Sequence, residues 1–183
     1  LFINYLKKGM AEEARQLIFN EFIQGATLAE LGDGPVKSAL QIIALEGNSA
    51  ENILIEHRAT QICIQIVNSL QELIVKKKIL FQAVGGAVSG DIYALPSMLV
   101  AAVLEENSGA AVNLGPNTPL NVFREASVLL EQSKKPDLVW ISISELKNQI
   151  ELSKELSRFA HECYENQIEL IVGGRAVGQL TLD

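Results

Sequence analysis

The second half of the chain alternates short apolar runs with longer helix-like stretches, and this alternation limits the fold more than any other feature. The apolar runs predict strands over Ile79–Val84, Ala110–Leu114, Leu138–Ser142 and Ile168–Val172. The stretches between them predict helices over Pro96–Glu106, Leu120–Gln132 and Ile150–Asn166. Such alternation is typical of a parallel sheet, because each parallel connection needs a crossover of helix length. We therefore expect an α/β domain with a flavodoxin-like or Rossmann-like, doubly wound parallel sheet that helices cover on both faces.

The first part of the chain lacks strand-like runs and carries helical periodicity instead. An amphipathic helix is predicted from Tyr5 to Ile23 and a long helix from Ala50 to Val75. Between them, Thr27 is expected to cap a short helix, and Pro35 to follow a loop and begin a helix that runs to Glu46. Residues 1–77 are thus predicted to form a four-helix bundle, and residues 78–183 the α/β domain.

Charge and composition argue against several function classes. The formal net charge of −7 disfavours direct binding of nucleic acid, which needs clustered Lys and Arg. No apolar run approaches the ~18 residues of a membrane span. The sequence has no nucleophile elbow, phosphate-binding glycine motif or zinc-ligand spacing, so we expect no enzymatic activity. Cys63 and Cys163 are far apart and predict free thiols in a cytoplasmic, reducing location, with Cys63 in the core.

Four loops follow the predicted strands and should meet at one edge of the sheet, where α/β folds bind ligands. They span Gly85–Leu95, Gly115–Pro119, Ser142–Leu146 and Gly173–Val177. Glycine pairs in the first and last loops allow close backbone approach, and Ser142 and Ser144 offer hydroxyl groups. Ordinary turns and a binding crevice both explain these residues. In the same way, Glu56 and His57 on the long helix are either a helix-surface pair or residues that face the crevice.

Together, these motifs resemble the cobalamin-binding module, in which a four-helix bundle precedes a flavodoxin-like domain. That family carries Asp-x-His-x-x-Gly in the first loop, a serine pair in the third and Gly-Gly in the last. Here the corresponding segments are Gly90-Asp91-Ile92-Tyr93-Ala94-Leu95-Pro96, Ser142-Ile143-Ser144 and Val172-Gly173-Gly174-Arg175-Ala176. The resemblance implies that Asp91 and the residue at position 93 lie below the cobalt. It also implies that Ser142, Ser144, Gly173 and Gly174 accommodate the nucleotide tail of the cofactor.

Two further segments are similar to the MerR-type, cobalamin-dependent photoreceptor and repressor proteins. They are Leu114-Gly115-Pro116-Asn117-Thr118-Pro119 and Glu56-His57-Arg58-Ala59-Thr60. This similarity implies the sensor domain of a cytoplasmic transcriptional regulator, with homo-oligomers and with DNA bound only through a domain outside this segment. The first residue is Leu1 rather than Met, so we expect a segment of a longer protein.

The first loop departs from the family pattern at two positions. Tyr93 stands where the family has the cobalt-ligating His, and Pro96 stands where it has the Gly. A neutral phenol is a poor replacement for an imidazole, so cobalamin binding is expected to be absent or atypical. The predicted ligand is cobalamin, a related tetrapyrrole or none, with His57 as the predicted metal ligand from the opposite face. The alternative function is a corrinoid carrier of a methyltransferase system.

Overall fold

The computed structural model describes residues 1–75, 77–129 and 135–181. The chain divides into two compact units, Leu1–Val75 and Lys76–Asp183. The first unit is helical, and the second contains a parallel sheet with helices, which confirms the predicted fold class. Within the described ranges, no helix combines the length and apolar character needed to cross a membrane.

The first unit is built from helices that bury their apolar stripes against one another. The helices are α1 (Phe2–Lys8), α2 (Ala11–Ile23), α3 (Leu28–Leu31), α4 (Lys37–Ala44) and α5 (Ala50–Leu73). Thr27 caps α3 as predicted: its Oγ1 accepts from the Glu30 N–H at 3.2 Å, and its own N–H donates to Glu30 Oε2 at 2.8 Å. The buried apolar side chains include Leu6, Ile18, Leu28, Ile43, Ile66 and Leu70.

Two predictions for this unit are wrong at their boundaries. The helix predicted over Tyr5–Ile23 is divided at Gly9, whose φ of +73° is a left-handed conformation that ends α1. The loop predicted before Pro35 is instead a π-helical turn, Gly32–Val36, which joins α3 to α4. Pro35 has no N–H to donate to the regular helical ladder, and a widened turn accommodates that missing bond.

The second unit is a four-stranded parallel sheet in the order β2-β1-β3-β4. Its elements are β1 (Phe81–Ala87), α6 (Ala94–Glu106), β2 (Gly109–Asn113), α7 (Leu120–Leu129), β3 (Leu138–Ser142), α8 (Gln149–Glu165) and β4 (Glu169–Gly173). A short 3₁₀ turn, Val177–Gln179, follows β4. The predicted end of the helix from Leu120 falls on residues 130–132, outside the described ranges. The order of the strands reverses between β1 and β3, which is where such sheets bind ligands.

The two faces of this sheet carry different cores. On one face, Val84, Val139 and Ile141 pack with Phe123 of α7 and Leu156 of α8. On the other face, Ala83 and Trp140 pack with Ala101 of α6. Successive residues of a strand alternate between the faces. Ser142 follows Trp140 by two positions and therefore lies on the α6 face.

Both cysteine thiols are buried, and burial raises their pKa values from an ordinary value of 9.0 to about 12 for Cys63 and about 11 for Cys163. We expect iodoacetamide at pH 8.5 to label both thiols only after unfolding, as measured by mass spectrometry in buffer and in urea. Because the folded pKa values are raised, their contribution to stability is complete below pH 9 and declines as the pH rises from 9 towards 11 to 12. Labelling of either thiol in the native protein at the rate seen in urea would contradict the buried placement.

Candidate functional site

The carboxyl ends of three strands form the floor of the candidate site. Ala87 of β1, Ser142 of β3 and Gly173 of β4 stand side by side in the last row of the sheet. The loops that follow them contain most of the residues predicted from the sequence. The strand order reverses between the first two of these strands, so the site occupies the position expected for a ligand in this fold.

Asp91 connects the loop after β1 to the loop after β3. Its side chain is fully buried. One carboxylate oxygen, Oδ2, accepts from the Ser144 N–H at 2.5 Å, and the other, Oδ1, accepts from the Tyr93 N–H at 3.0 Å. Hydrogen bonds to a charged acceptor are among the stronger ones in proteins, so Asp91 holds both loops in place.

The loop after β2 is joined to the same structure by Asn117, which the sequence reasoning missed as a site residue. Its Oδ1 accepts from the Gly90 N–H at 2.7 Å, and its N–H donates to the Asp91 carbonyl at 2.8 Å. Asn117 has a φ of +55°, a conformation that Asn tolerates better than most residues. The Gly-Pro-Asn-Thr-Pro turn sequence was the available signal for such a residue.

The glycine pair at the end of β4 is followed by a cationic side chain at the site. Gly174 has a φ of +119°, and a Cβ placed on it would lie 2.3 Å from the Ile143 carbonyl oxygen, so only glycine fits there. The next residue, Arg175, donates from Nε to the Ser144 carbonyl at 2.8 Å. Its Cζ lies 4.6 Å from the centre of the Tyr93 ring, a cation–π distance. Because Tyr93 and Arg175 lie far apart in the sequence, no local pattern could predict their pairing.

The predicted loop Gly85–Leu95 begins too early, because Gly85 and Gly86 lie inside β1. A Cβ on Gly85 would lie 2.0 Å from Trp140 Cδ2, so this glycine makes room for the indole of the neighbouring strand. The Trp140 Nε1–H donates to Ser97 Oγ at 3.1 Å, and Ser97 Oγ donates to Asn113 Oδ1 at 2.8 Å. These glycines therefore serve the packing of the sheet rather than a ligand loop.

The helix after the loop also begins earlier than predicted. It starts at Ala94, two residues before Pro96, with Tyr93 as the residue that precedes its first turn. Pro96 lies in that first turn, where its missing N–H is harmless. Leu95 is buried, so it is part of the packed start of α6 rather than of an extended loop.

Ser142 and Ser144 have different surroundings. The main chain of Ser144 is bonded on both sides, to Asp91 and to Arg175. The side-chain oxygen of Ser142 is buried and has no hydrogen-bond partner among the described residues. Buried hydroxyl groups nearly always have a partner, so this one calls for an explanation.

Glu56 and His57 lie in the first unit, on α5. His57 is exposed and Glu56 is partly exposed. The other histidine, His161, lies on α8 within 3.4 Å of Glu165. In the described part of the chain, no three His, Cys, Asp or Glu side chains are grouped closely enough to hold a metal ion. The role of His57 as a metal ligand therefore stays a prediction.

Comparison with known proteins supports the fold but identifies no family. No protein-family model and no curated protein matches the sequence. The structure is similar to that of the monomethylamine corrinoid protein of Methanosarcina barkeri, with a TM-score of 0.69 over 100% of this chain and 88% of that chain. The sequence identity is 15%, so the likeness establishes the fold alone.

Two further structures match less well. The methanol:cobalamin methyltransferase complex MtaBC from Methanosarcina barkeri aligns with 96% of this chain and 67% of that chain at 17% identity. A cobalamin-binding protein from Desulfitobacterium hafniense DCB-2 aligns with 97% of this chain and 84% of that chain at 14% identity. Their TM-scores of 0.42 and 0.44 are too low to support a conclusion.

Proposed function

We propose that this chain is a corrinoid-binding module of the methyl-carrier type, which binds cobalamin without a bond between its first loop and cobalt. The observation that carries the proposal is the buried Asp91, which joins the loops after β1 and β3 at the point where the strand order reverses. The fold around Asp91 is similar, over the whole chain, to that of the monomethylamine corrinoid protein of Methanosarcina barkeri.

The residues at this edge fit a corrinoid in part. Gly173 is exposed, and nothing lies within 4 Å of a Cβ placed on it, so the end of β4 offers open surface for a flat ring. Ser142, Ser144 and Gly174 would lie beside such a ring. Tyr93 does not fit as a replacement ligand for cobalt, because a phenol is a poorer metal ligand than an imidazole.

Cobalamin carries a benzimidazole base of its own, which would serve as a ligand to cobalt in place of a protein imidazole. A histidine at position 93 would then not be needed, and Tyr93 would contact the bound cofactor. A bound corrinoid would supply a metal that accepts and releases a methyl group. The chain itself would catalyse no reaction: Asp91 fixes the loops, and the Gly173–Gly174 backbone provides close approach.

Retention of cobalamin on a desalting column tests this function. Wild-type protein mixed with hydroxocobalamin is expected to elute with bound corrinoid, measured by its visible absorbance. Gly173→Leu should abolish retention, because its side chain would enter the open surface without disturbing the fold. Gly178→Leu is the matched control, since a Cβ on Gly178 also has nothing within 4 Å. A wild-type protein that elutes free of corrinoid would refute the proposal.

A sensor domain of a transcriptional regulator is the second candidate, and Tyr93 is the observation that favours it. The family resemblance implies that methyl carriers depend on the lower histidine, which this loop lacks. The two functions differ in the reactivity of bound cobalt. A carrier must let reduced, protein-bound corrinoid react with methyl iodide as fast as free corrinoid does, whereas slow methylation with tight binding would favour the sensor. The DNA-binding domain and the homo-oligomer implied by the sensor function stay predictions.

A further inference from the structure

We propose that the start of α6 binds a phosphate group, either as the free ion or as a monoester of a small metabolite. The donors are the N–H groups of Ala94 and Leu95, the hydroxyl of Ser142 and the guanidinium of Arg175. All of them belong to the second unit. The inference does not depend on corrinoid binding, and its test contains no corrinoid.

The first turn of α6 has donors that nothing in the described structure uses. The helix spans 13 residues, no side chain caps its start, and its first turn carries no acidic residue. The Tyr93 N–H is taken up by Asp91, and Pro96 has no N–H. The N–H groups of Ala94 and Leu95 donate to no acceptor among the described residues. Free N–H groups and the helix dipole together favour an anion at this position.

The unpartnered hydroxyl of Ser142 points independently to a ligand here. Ser142 is 4% exposed, and its Oγ has no hydrogen-bond partner among the described residues. It shares the α6 face with Trp140, whose indole N–H reaches Ser97 at 3.1 Å. Ser97 lies about one turn inside α6, and Ser142 lies two residues closer than Trp140 to the carboxyl end of β3. The hydroxyl therefore lies on the face that α6 covers and on the side of Trp140 towards the beginning of the helix, where a ligand oxygen would give it a partner.

Two cationic side chains belong to the loops that meet at this edge of the sheet. Arg175 uses Nε for the Ser144 carbonyl, which leaves the remaining guanidinium N–H groups available next to the Tyr93 ring. The stem of Lys147 lies against Gly90, since a Cβ on Gly90 would be 2.8 Å from Lys147 Cδ. Neither cation forms an ion pair within the described residues. The acidic groups nearby are Glu145, which is exposed, and Asp91, both of whose oxygens already accept N–H groups.

The number of donors favours phosphate over a carboxylate. Backbone N–H groups, a hydroxyl and a guanidinium approach from the helix, from β3 and from the loop after β4. A carboxylate has only two oxygens, whereas a phosphate monoester presents three terminal oxygens in a tetrahedral arrangement. Guanidinium groups also bind phosphate in a bidentate manner.

Calorimetric titration of the full chain with inorganic phosphate, at ionic strength held constant with chloride, tests the site. We expect saturable binding at one site, and a dissociation constant at least about tenfold higher in Arg175→Gln, because a charge-assisted hydrogen bond is lost. Arg158→Gln, an exposed arginine on α8, is the matched control and should leave the constant unchanged. Acetate should bind at least about tenfold more weakly than phosphate.

Ser142→Ala provides a second test, in which the stability of the variant to urea is measured without and with phosphate. Without phosphate, this variant should unfold at a higher urea concentration than the wild type, because it removes an unpartnered buried hydroxyl. With saturating phosphate, it should gain less stability than the wild type does.

Phenyl phosphate distinguishes the two sources of the phosphate group. Binding as tight as that of inorganic phosphate indicates a monoester, and binding of the inorganic ion alone indicates free phosphate. The proposal is overturned if the titration shows no saturable binding of phosphate, if Arg175→Gln and Arg158→Gln lose equal affinity for phosphate, or if acetate binds as tightly as phosphate.

Discussion

Gly85→Ala is expected to destabilise the second unit by about 3 kcal/mol or more, because the new methyl group has no space in a packed core. A Cβ at this position would lie 2.0 Å from Trp140 Cδ2 and 2.3 Å from the Trp140 carbonyl oxygen. The second contact is with backbone of the neighbouring strand, so a change of side-chain rotamer cannot relieve it. The sheet would have to shift between β1 and β3, which is also where the candidate site lies.

Urea unfolding followed by tryptophan fluorescence measures this effect, since Trp140 is the only tryptophan and lies in the second unit. Gly173→Ala is the matched control within the same sheet. A Cβ on Gly173 meets nothing within 4 Å, so the free energy of unfolding of that variant should stay within about 1 kcal/mol of the wild-type value. Similar midpoints for the wild type and Gly85→Ala would show that Trp140 does not lie over Gly85.

Asp91→Ala should lower the free energy of unfolding by about 3 to 5 kcal/mol, because two backbone N–H groups lose a charged acceptor. These are the N–H groups of Tyr93 and Ser144, which Asp91 meets at 3.0 and 2.5 Å. Asp91→Asn should cost less, because its amide keeps one oxygen acceptor. The order wild type, Asn, Ala in stability would identify the hydrogen bonds rather than side-chain volume as the cause.

Asp137 offers a matched control for this loss. Asp137 is exposed, and its Oδ2 accepts from the Gln82 N–H at 2.7 Å. Like Asp91, it therefore accepts a backbone N–H, but it does so at the solvent-accessible surface. Asp137→Asn should cost no more than about 1 kcal/mol, since solvent can replace the lost interaction. Equal losses for Asp91→Asn and Asp137→Asn would contradict the claim that Asp91 is the buried junction of the site.

The strands of the second unit were predictable because each is a short apolar run bounded by turn residues. Leu138–Ser142 is predicted at the residues the structure assigns to β3. The end of β1 was not predictable in the same way. Gly85 and Gly86 have the composition of a turn, yet they lie in the strand because Trp140 and the Gly115 carbonyl approach them closely. Such contacts depend on which strands become neighbours, and a local pattern does not contain that information.

The candidate site was likewise predictable only where local sequence patterns indicate its residues. The sequence places the serine pair and the glycine pair at the ends of predicted strands, and the resemblance to the cobalamin-binding module adds Asp91 and Tyr93. Asn117 and Arg175 were missed as site residues, although both lie in loops that the sequence assigns to the same edge. Their importance comes from hydrogen bonds to residues 27 and 31 positions away, which appear only when the loops are brought together.

The absence of a bond between cobalt and the first loop is tested most directly by electron paramagnetic resonance of cob(II)alamin bound to ¹⁵N-labelled protein. A cofactor that keeps its own ¹⁴N base on cobalt gives triplet superhyperfine lines, whereas an imidazole from labelled protein gives doublets. We expect triplets for the wild type and doublets for Tyr93→His. A wild-type signal without nitrogen splitting that regains triplets in Tyr93→Phe would contradict the account, because it would place the Tyr93 oxygen on cobalt. Doublets that are lost in His57→Ala would instead assign the ligand to His57.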